Sequence, residues 1–244
     1  MLIDVHAHIW KGKYEQDKRN IVKACRLYGI SRIYISGLGS QQPDEQEVKE
    51  VNAEVHQFMK EENDLVRGYC SINPANKNCL DTLKQGIEEY GMSGMKLWVA
   101  TFCDDPRVYP LIEQCIEYDV PILIHAFHKA VGQLPFESHS WNVANLARRY
   151  PEARIIMAHM AANCYTGLKP IRDLGNVWTD FSGTIIRAED ISYAKETIGA
   201  KRILYGTDMP GASPLVCMGQ VEEADLTPEE KEQIFYKNAM ELFQ

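Results

Sequence analysis

Two histidines close together, His6 and His8, lie in the apolar run of residues 2–9. Side chains two positions apart in a β-strand point to the same face and lie roughly 6–7 Å apart along the chain. Two imidazoles placed in this way can hold one cation, and neutral imidazole suits zinc and related divalent ions. The alternative is a pair of ordinary buried histidines, each of which needs a hydrogen-bond partner. Asp4 has the same parity, which predicts that its carboxylate orients one of the two imidazoles.

Three further ionisable residues end or follow apolar runs. His125 follows Pro-Ile-Leu-Ile, His159 lies in Ile-Ile-Met-Ala-His-Met, and Asp208 lies in Leu-Tyr-Gly-Thr-Asp-Met-Pro. Taken singly, each has an ordinary explanation, either a histidine satisfied in the core or an aspartate that caps a turn. Together with His6 and His8, they form a set of polar residues at the ends of runs that are far apart in the sequence. If those runs are neighbouring strands, the residues form one site.

The elements that would position these residues alternate along the chain. Apolar, β-branched runs occur at residues 2–9, 32–38, 66–73, 94–99, 121–127, 153–160, 177–183 and 203–210. Amphipathic stretches with helical spacing occur at residues 17–28, 45–60, 80–90, 106–118, 141–150, 163–174, 188–198 and 227–243. This alternation predicts an α/β fold, and its eight units favour a (β/α)8 TIM barrel with the site at the C-terminal ends of the strands. A doubly wound open sheet competes, but it usually has a Gly-rich first turn, and no GxGxxG occurs here.

The bulk composition bounds the class of protein. A length of 244 residues without a low-complexity linker predicts a single domain over residues 1–244. The net charge of −8 and the lack of a Lys/Arg block argue against nucleic acid or an anionic membrane as a partner. The 7 cysteines show no CxxC spacing, which is typical of reduced thiols. Neither a signal peptide nor a membrane span is predicted, so we expect a cytoplasmic protein.

The motifs around these residues resemble the amidohydrolase superfamily, and within it the amidohydrolase-2 branch that includes aminocarboxymuconate-semialdehyde decarboxylase. The resemblance covers most of the chain in order. It comprises Asp-Val-His-Ala-His at 4–8, Gly-Met-Lys-Leu at 94–97, Ile-His at 124–125, Ala-His at 158–159, Tyr-Gly-Thr-Asp-Met-Pro at 205–210, and a final helix with Ile-Phe-Tyr-Lys-Asn-Ala at 234–239.

The resemblance implies a single barrel of the metal-dependent hydrolase type, with one divalent ion held by four side chains: His6, His8, His125 and Asp208. It also implies that His159 stands beside the ion as the acid or base, and that Asp208 contributes to catalysis as well as to metal binding. Zinc is the ion expected first, and manganese, iron and cobalt are the alternatives.

Other candidate residues lie near the same strand ends. In two-metal amidohydrolases a lysine on the fourth strand is carboxylated, so a second ion is expected only if Lys96 is carboxylated. An unmodified Lys96 would suit a substrate carboxylate, or form an ion pair inside the barrel. Trp98 shares its parity and either lines the pocket or packs in the core. His128, in the long segment 128–140, and Arg187, after the seventh run, are candidates for substrate contact, with an idle loop histidine and a solvent-exposed salt bridge as the alternatives.

The first functional hypothesis is a metal-dependent hydrolase that uses a metal-activated water on an amide, lactone or similar bond of a small molecule. The alternative is a non-hydrolytic decarboxylase, a carbon–carbon lyase, acting on an unsaturated or aromatic carboxylic acid. A TatD-like nuclease ranks third, because that family has a glutamate where this chain has Lys96. A binding protein with structural histidines is the non-enzymatic alternative. The expected partner is a small molecule, anionic if Lys96 receives it, and a homo-oligomer is compatible with the sequence.

Overall fold

The computed structural model describes residues 1–183 and 187–244. Within them, eight strands form one sheet in sequence order, and each strand pairs in parallel with the next. The strands are β1 (Ile3–Trp10), β2 (Arg32–Leu38), β3 (Val66–Ile72), β4 (Met95–Leu97), β5 (Ile122–Ile124), β6 (Ile155–Met157), β7 (Val177–Asp180) and β8 (Ile203–Leu204). Parallel strands need a crossover between them, which the intervening helices provide. The predicted α/β barrel architecture is confirmed.

Backbone hydrogen bonds between β1 and the segment after β8 close the sheet. The Asp208 amide donates to the His6 carbonyl over 2.7 Å. The His8 amide donates to the Met209 carbonyl, also over 2.7 Å. Closure removes the sheet edge and places Asp208 directly beside the two histidines of β1.

Helices connect the strands and cover the outside of the barrel. They are α1 (Tyr14–Tyr28), α2 (Glu45–Glu61), α3 (Cys79–Lys84), α4 (Tyr109–Glu117), α5 (Ser140–Arg149), α6 (Cys164–Gly167), α7 (Ala188–Ile198), α8 (Pro214–Glu223), α9 (Pro228–Glu232) and α10 (Asn238–Leu242). A π-helical segment, Gln85–Glu89, continues α3, and another, Gln233–Lys237, joins α9 to α10. In the described part of the chain, no helix has the length and apolar character needed to cross a membrane.

The helices differ from the sequence prediction at two places. The predicted helix at 163–174 is only the short α6 followed by a 3-10 turn at Lys169–Ile171. Pro170 lies in that turn and has no amide to donate to a continuing α-helix. Helix α8 was not predicted, although Pro214 directly after Ser213 is a typical helix start.

A β-bulge in β1 decides which of its side chains face the interior of the barrel. The register against β2 shifts between Asp4 and Ala7, so that β1 contains one more residue than its partner there. Val5 packs in an interior cluster with residues of β2, β3, β5, β6 and β8, whereas Ala7 belongs to the cluster between the barrel and its helices. The bulge therefore lets His6 and His8 point to the interior after Val5.

The same bulge overturns the prediction made for Asp4. Its carboxylate accepts hydrogen bonds from the His6 amide over 3.0 Å and from the Thr207 amide and hydroxyl over 3.1 and 2.6 Å. No imidazole is among these partners. Asp4 braces the junction between β1 and the chain after β8 instead of orienting an imidazole, because the shifted register breaks the parity that the sequence suggested.

Candidate active site

The two histidines of β1 and Asp208 converge at the C-terminal rim of the barrel. His6 Nε2 and His8 Nε2 lie 3.0 Å apart. Asp208 Oδ1 lies 3.0 Å from His8 Nε2 and 3.8 Å from His6 Nε2. Both histidines are buried, while 28% of the Asp208 side chain remains exposed. These three side chains form one of the groups in the described residues whose ligand atoms are close enough to share a metal ion.

The backbone presents Asp208 to the histidines in an unusual conformation. Asp208 has φ of 63°, in the left-handed region that non-glycine residues seldom adopt. Strained backbone of this kind is concentrated at functional sites. Burial opposes ionisation of the carboxylate, but the hydrogen bond with His8 and the neighbouring imidazoles outweigh it and hold the pKa of Asp208 well below its ordinary value. The group is thus an anion that faces the two imidazoles.

Each β1 histidine is held from behind by a side chain of another strand. His6 Nδ1 lies 2.9 Å from Asp180 Oδ2 at the end of β7, and His8 Nδ1 lies 2.8 Å from Ser36 Oγ on β2. Burial works against the charge of Asp180, but His6 and other partners hold its pKa well below the ordinary value. Because an ionised Asp180 can only accept a hydrogen bond, His6 Nδ1 carries the hydrogen and donates it, and His6 Nε2 turns its lone pair toward the site.

Lys96 brings a cation into the same space. Its register partner on β5 is Leu123, whose side chain belongs to the interior cluster, so Lys96 also points inward. Its Nζ lies 3.2 Å from His6 Nε2, and only 1% of the residue is exposed. Within residues 1–183 and 187–244, no carboxylate lies within salt-bridge distance of this ammonium group. Burial lowers the pKa of Lys96 to about 8.

His125 follows β5 and is oriented by a residue that the sequence did not reveal. Its Nε2 lies 2.8 Å from Oε1 of the buried Glu137, and its Nδ1 lies 3.2 Å from His159 Nε2. Burial raises the cost of a charged Glu137, but hydrogen bonds from His125 and Lys129 outweigh it and lower the pKa of this carboxyl to about 2. Glu137 is therefore an acceptor, and His125 Nε2 carries the proton.

His159 lies in a left-handed turn that follows β6. Residues 159–162 all have positive φ, with 63° at His159, although none of them is glycine. Asp180 Oδ1 accepts the His159 amide over 3.0 Å, and the Ser182 carbonyl and hydroxyl lie 3.1 and 2.9 Å from His159 Nδ1. Each left-handed residue costs roughly 1–2 kcal/mol, so the surrounding contacts must hold this turn. The result is a ring that lies between His6 and His125, with centroid distances of 4.9 and 5.0 Å.

All four imidazoles are neutral at neutral pH. Burial lowers the pKa of His8, His125 and His159 to about 4, and burial together with Lys96 lowers that of His6. His6 Nε2 faces His8 Nε2, and His125 Nδ1 faces His159 Nε2. Two lone pairs that face one another at about 3 Å, as on His125 Nδ1 and His159 Nε2, repel each other unless a proton or a cation lies between them. His8 Nε2 can carry the hydrogen that bonds Asp208, and an ion bound there would replace that hydrogen. The donor set therefore fits a divalent ion at His6, His8 and Asp208.

A second group, His6, His159 and Asp180, also has ligand atoms close together, but its centre is filled. The Ser182 hydroxyl lies 3.1 Å from His6 Nδ1, 2.9 Å from His159 Nδ1 and 2.6 Å from Asp180 Oδ1. These hydrogen bonds satisfy the group without an ion. We therefore interpret it as the support of the first cluster and not as a second metal position.

The other predicted substrate contacts lie in different surroundings. Trp98 packs edge to face on Trp10 with 5.7 Å between ring centroids, at the side of the site where Lys96 lies. His128 is exposed, and its Nδ1 lies 3.0 Å from His139 Nδ1. Arg187 forms an ion pair with Asp190 over 2.8 Å, with 61% of its side chain exposed. Substrate contact by these residues stays a prediction, as does metal binding by His125.

Sequence reasoning missed three residues that hold the site histidines: Asp180, Ser182 and Glu137. Asp180 ends the apolar run Val-Trp-Thr-Asp, so the criterion that selected the other strand-end residues would have found it. Ser182 follows two residues later. Glu137 lies in an irregular segment, where no periodicity indicates the direction of a side chain.

A parallel eight-stranded barrel with an imidazole–carboxylate cluster at its C-terminal rim defines a class of metal-dependent barrel enzymes. The amidohydrolase family model matches residues 3–244, so the chain belongs to the amidohydrolase family and is an enzyme. The non-enzymatic alternative is set aside. A comparison with curated proteins finds no match.

Solved structures with a similar fold include decarboxylases and a hydratase. Dihydroxybenzoic acid decarboxylase from Polaromonas sp. JS666, with bound manganese and the inhibitor 2-nitroresorcinol, is 16% identical over 99% of this chain and 96% of that chain, with a TM-score of 0.79. 5-Carboxyvanillate decarboxylase from Sphingomonas paucimobilis is 14% identical over 99% and 98%, with a TM-score of 0.76. 4-Oxalomesaconate hydratase from Rhodopseudomonas palustris is 18% identical over 100% and 95%, with a TM-score of 0.73. At these identities the likeness shows the fold.

Proposed function

We propose that this protein is a metal-dependent decarboxylase of an aromatic or unsaturated carboxylic acid. The observation that carries the proposal is Lys96, a buried ammonium group 3.2 Å from His6 Nε2 with no carboxylate partner in the described residues. Asp208 and Asp180 attract this ammonium group, but neither lies within salt-bridge distance, so a substrate anion can become its direct partner. A substrate that becomes more negative where it meets Lys96 gains stabilisation as the reaction proceeds.

Loss of CO2 from an acid leaves an electron pair on the rest of the molecule. In a conjugated substrate this pair can spread to an oxygen atom, where the Lys96 ammonium would stabilise it. A divalent ion at His6, His8 and Asp208, with His125 as a further proposed ligand, would act as a Lewis acid toward the same oxygen. Zinc remains the ion expected from the sequence, while manganese is the ion of the Polaromonas enzyme.

His159 is the residue we propose for proton transfer. Its Nδ1 lies 3.1 Å from the Ser182 carbonyl, which can only accept, so that Nδ1 carries the proton and Nε2 is free of one. A neutral imidazole of this kind can take a proton from a substrate hydroxyl at Nε2 and return it to the carbon that loses CO2. The substrate bond broken is C–C, the bond formed is C–H, and solvent supplies the one proton consumed overall.

The aromatic side chains at the C-terminal rim of the barrel favour a flat, aromatic substrate. Trp10 and Trp98 pack edge to face, and the His8 ring lies 6.3 Å from the Trp10 ring. Aromatic walls favour aromatic ligands, because stacked and edge-to-face pairs add about 0.5–1.5 kcal/mol to the burial of area. Two of the similar structures are decarboxylases of aromatic acids. Hydrolysis of an amide or lactone, the first hypothesis from the sequence, stays a prediction that the experiment below addresses.

The test is a substrate panel with two independent readouts on protein loaded with Mn²⁺ or Zn²⁺. One arm measures CO2 released from hydroxylated benzoic acids and unsaturated dicarboxylic acids, and the other measures acid released from lactones and amides. We expect CO2 from at least one acid and no hydrolysis. Hydrolysis without CO2 from any acid would overturn the proposal.

The variant Lys96→Met tests the role of the ammonium group separately from the role of the metal ion. It keeps the length and apolar stem of the side chain, and we expect KM for the acid to rise roughly 100-fold or more, because the anion loses its partner. Metal content should stay at the native level. Lys231→Met is the matched control, since it removes a partly exposed cation on α9 that already pairs with Glu222, and it should leave KM unchanged.

A further inference from the structure

Glu137 is a buried carboxylate in the irregular segment 128–140, called here the 128–140 loop, and it accepts hydrogen bonds from four donors. Its Oε1 accepts from His125 Nε2 over 2.8 Å and from Lys129 Nζ over 2.7 Å. Its Oε2 accepts from Gln133 Nε2 over 2.9 Å and from the Leu134 amide over 3.2 Å. Only 1% of Glu137 is exposed. A carboxylate that is removed from water needs this many partners, and three of the four come from its own loop.

The hydrogen bond between Glu137 and His125 determines which nitrogen of the His125 ring carries the hydrogen. Because an ionised Glu137 can only accept, His125 Nε2 carries the hydrogen, and Nδ1 presents its lone pair to the side where His159 lies. The His125 ring also lies parallel to Phe127, at 7° and with 5.8 Å between centroids. Ring direction and tautomer are therefore both set by neighbours outside the strand.

The 128–140 loop is joined to the site at other points as well. The His128 amide donates to the Ala161 carbonyl over 3.1 Å, so the loop is bonded to the left-handed turn that contains His159. Near the other end of the loop, the Ser138 carbonyl accepts a hydrogen bond from the Phe127 amide over 2.9 Å. A displacement of the loop would thus reach both His125 and the turn after β6.

We propose that Glu137 is a positioning residue that fixes the His125 ring with Nδ1 toward the site and fastens the 128–140 loop to that ring. The inference rests on the proposed function, in which His125 contributes a ligand to the ion. Beyond that function, it identifies Nδ1 as the atom of His125 that would bind the ion, and Glu137 as the residue that selects this atom. Partners that orient a ligand histidine typically change metal affinity about 10–100-fold when they are removed.

The first measurement is the affinity for Mn²⁺ by titration calorimetry of the native protein and three variants. Glu137→Ala should weaken binding about 10–100-fold, because His125 loses its orientation. Lys129→Met removes a loop bond to the same carboxylate but leaves the His125 contact, and it should weaken binding less than about threefold. Glu61→Gln is the control, since Glu61 also accepts several side-chain hydrogen bonds but lies on the helical exterior.

The second measurement needs no metal. In ¹⁵N NMR spectra of the metal-free protein, the His125 signals, assigned by their loss in His125→Gln, should report the Nε2-protonated tautomer in the native chain. In Glu137→Ala they should report a mixture of tautomers. If the native protein binds neither Mn²⁺ nor Zn²⁺, the proposed function fails, and the tautomer still tests Glu137 by itself.

Glu137→Ala with native Mn²⁺ affinity and a native tautomer would overturn the inference and leave Glu137 as a loop fastener only. If Glu137→Ala does not fold, Glu137→Gln replaces it, because glutamine keeps the volume and one acceptor oxygen. Glu137→Gln should then bind Mn²⁺ more weakly than both the native protein and the Lys129→Met variant, with a total loss of at most about 100-fold. Native affinity in a folded Glu137→Gln with a mixed tautomer would also contradict the inference.

Discussion

Two halves of the site reach the same rim by different means. The strand half consists of His6 and His8, which lie on β1 and are held by Asp180 and Ser36 from other strands. The loop half consists of His125 and His159, which lie just beyond β5 and β6 and are held by Glu137 and by a left-handed turn. Strand pairing together with side chains of other strands fixes the first half, whereas side chains of a loop and strained backbone fix the second.

This difference indicates which half of the site can be altered by substitution while the barrel stays folded. A strand inside a closed barrel can move little without breaking its ladders on both sides, so the geometry of His6 and His8 belongs to the fold itself. The loop half depends on a few individual contacts, and each can be removed while the barrel stays intact. We therefore expect loss of the strand half to abolish ion binding. Changes in the loop half should weaken binding at most about 100-fold, through His125, or alter the reaction, through His159.

The largest effect should come from the strand half. The double variant His6→Ala, His8→Ala removes two neighbouring imidazoles and leaves Asp208 without the rings it faces at 3.0 and 3.8 Å. Loss of two of the proposed ligands should weaken binding by a factor on the order of 1,000 or more. Metal content after dialysis, measured by plasma emission spectroscopy, should fall below about a tenth of an equivalent. A full equivalent retained in the folded double variant would show that the ion lies elsewhere.

The loop half should respond in the opposite way. His159→Asn removes the proton-transfer group but keeps a residue type that tolerates positive φ. Metal content should stay native, while kcat falls roughly 100- to 10,000-fold, the usual contribution of a general acid or base. Parallel measurement of metal and of CO2 release checks both statements. Loss of metal in this variant would move His159 into the ligand set and contradict its role as a proton-transfer group beside the ion.

The strand half was the more predictable one. The apolar run around His6 and His8 and the polar ends of later runs are local signals, and the barrel topology brings all strand ends to one rim. Their convergence with Asp208 could therefore be expected from sequence alone. The bulge could not, because it depends on the register between β1 and β2, and it reversed the side on which Asp4 lies.

The loop half was less predictable for physical reasons. Ala-His-Met-Ala-Ala at 158–162 contains no glycine, so its composition argues against a left-handed turn, and only tertiary contacts impose one. Glu137 approaches His125 across 12 residues of irregular chain, where neither helical nor strand periodicity applies. Asp180 differs from both, since it ends an apolar strand and belongs to the class of residues that the sequence can reveal.

The smallest effect, and the finest test of the loop half, concerns Gly183. Its φ is +86°, and a Cβ added there would lie 3.1 Å from His159 Nδ1 and 3.6 Å from Asp208 Oδ2. Gly183→Ala should lower the free energy of unfolding by about 1–2 kcal/mol through backbone strain and displace the His159 ring, with a roughly tenfold loss of kcat.

Gly12→Ala is the matched control for that loss. Gly12 has φ of +79°, but a Cβ there would meet nothing within 4 Å, so the variant carries the strain without the contact. Chemical denaturation should show similar destabilisation for the two variants, while CO2 release should fall only for Gly183→Ala. Equal kcat values would mean that the His159 ring adapts to a shift of a few tenths of an ångström. The loop half would then owe its function to the identity of His159 and not to the exactness of its position.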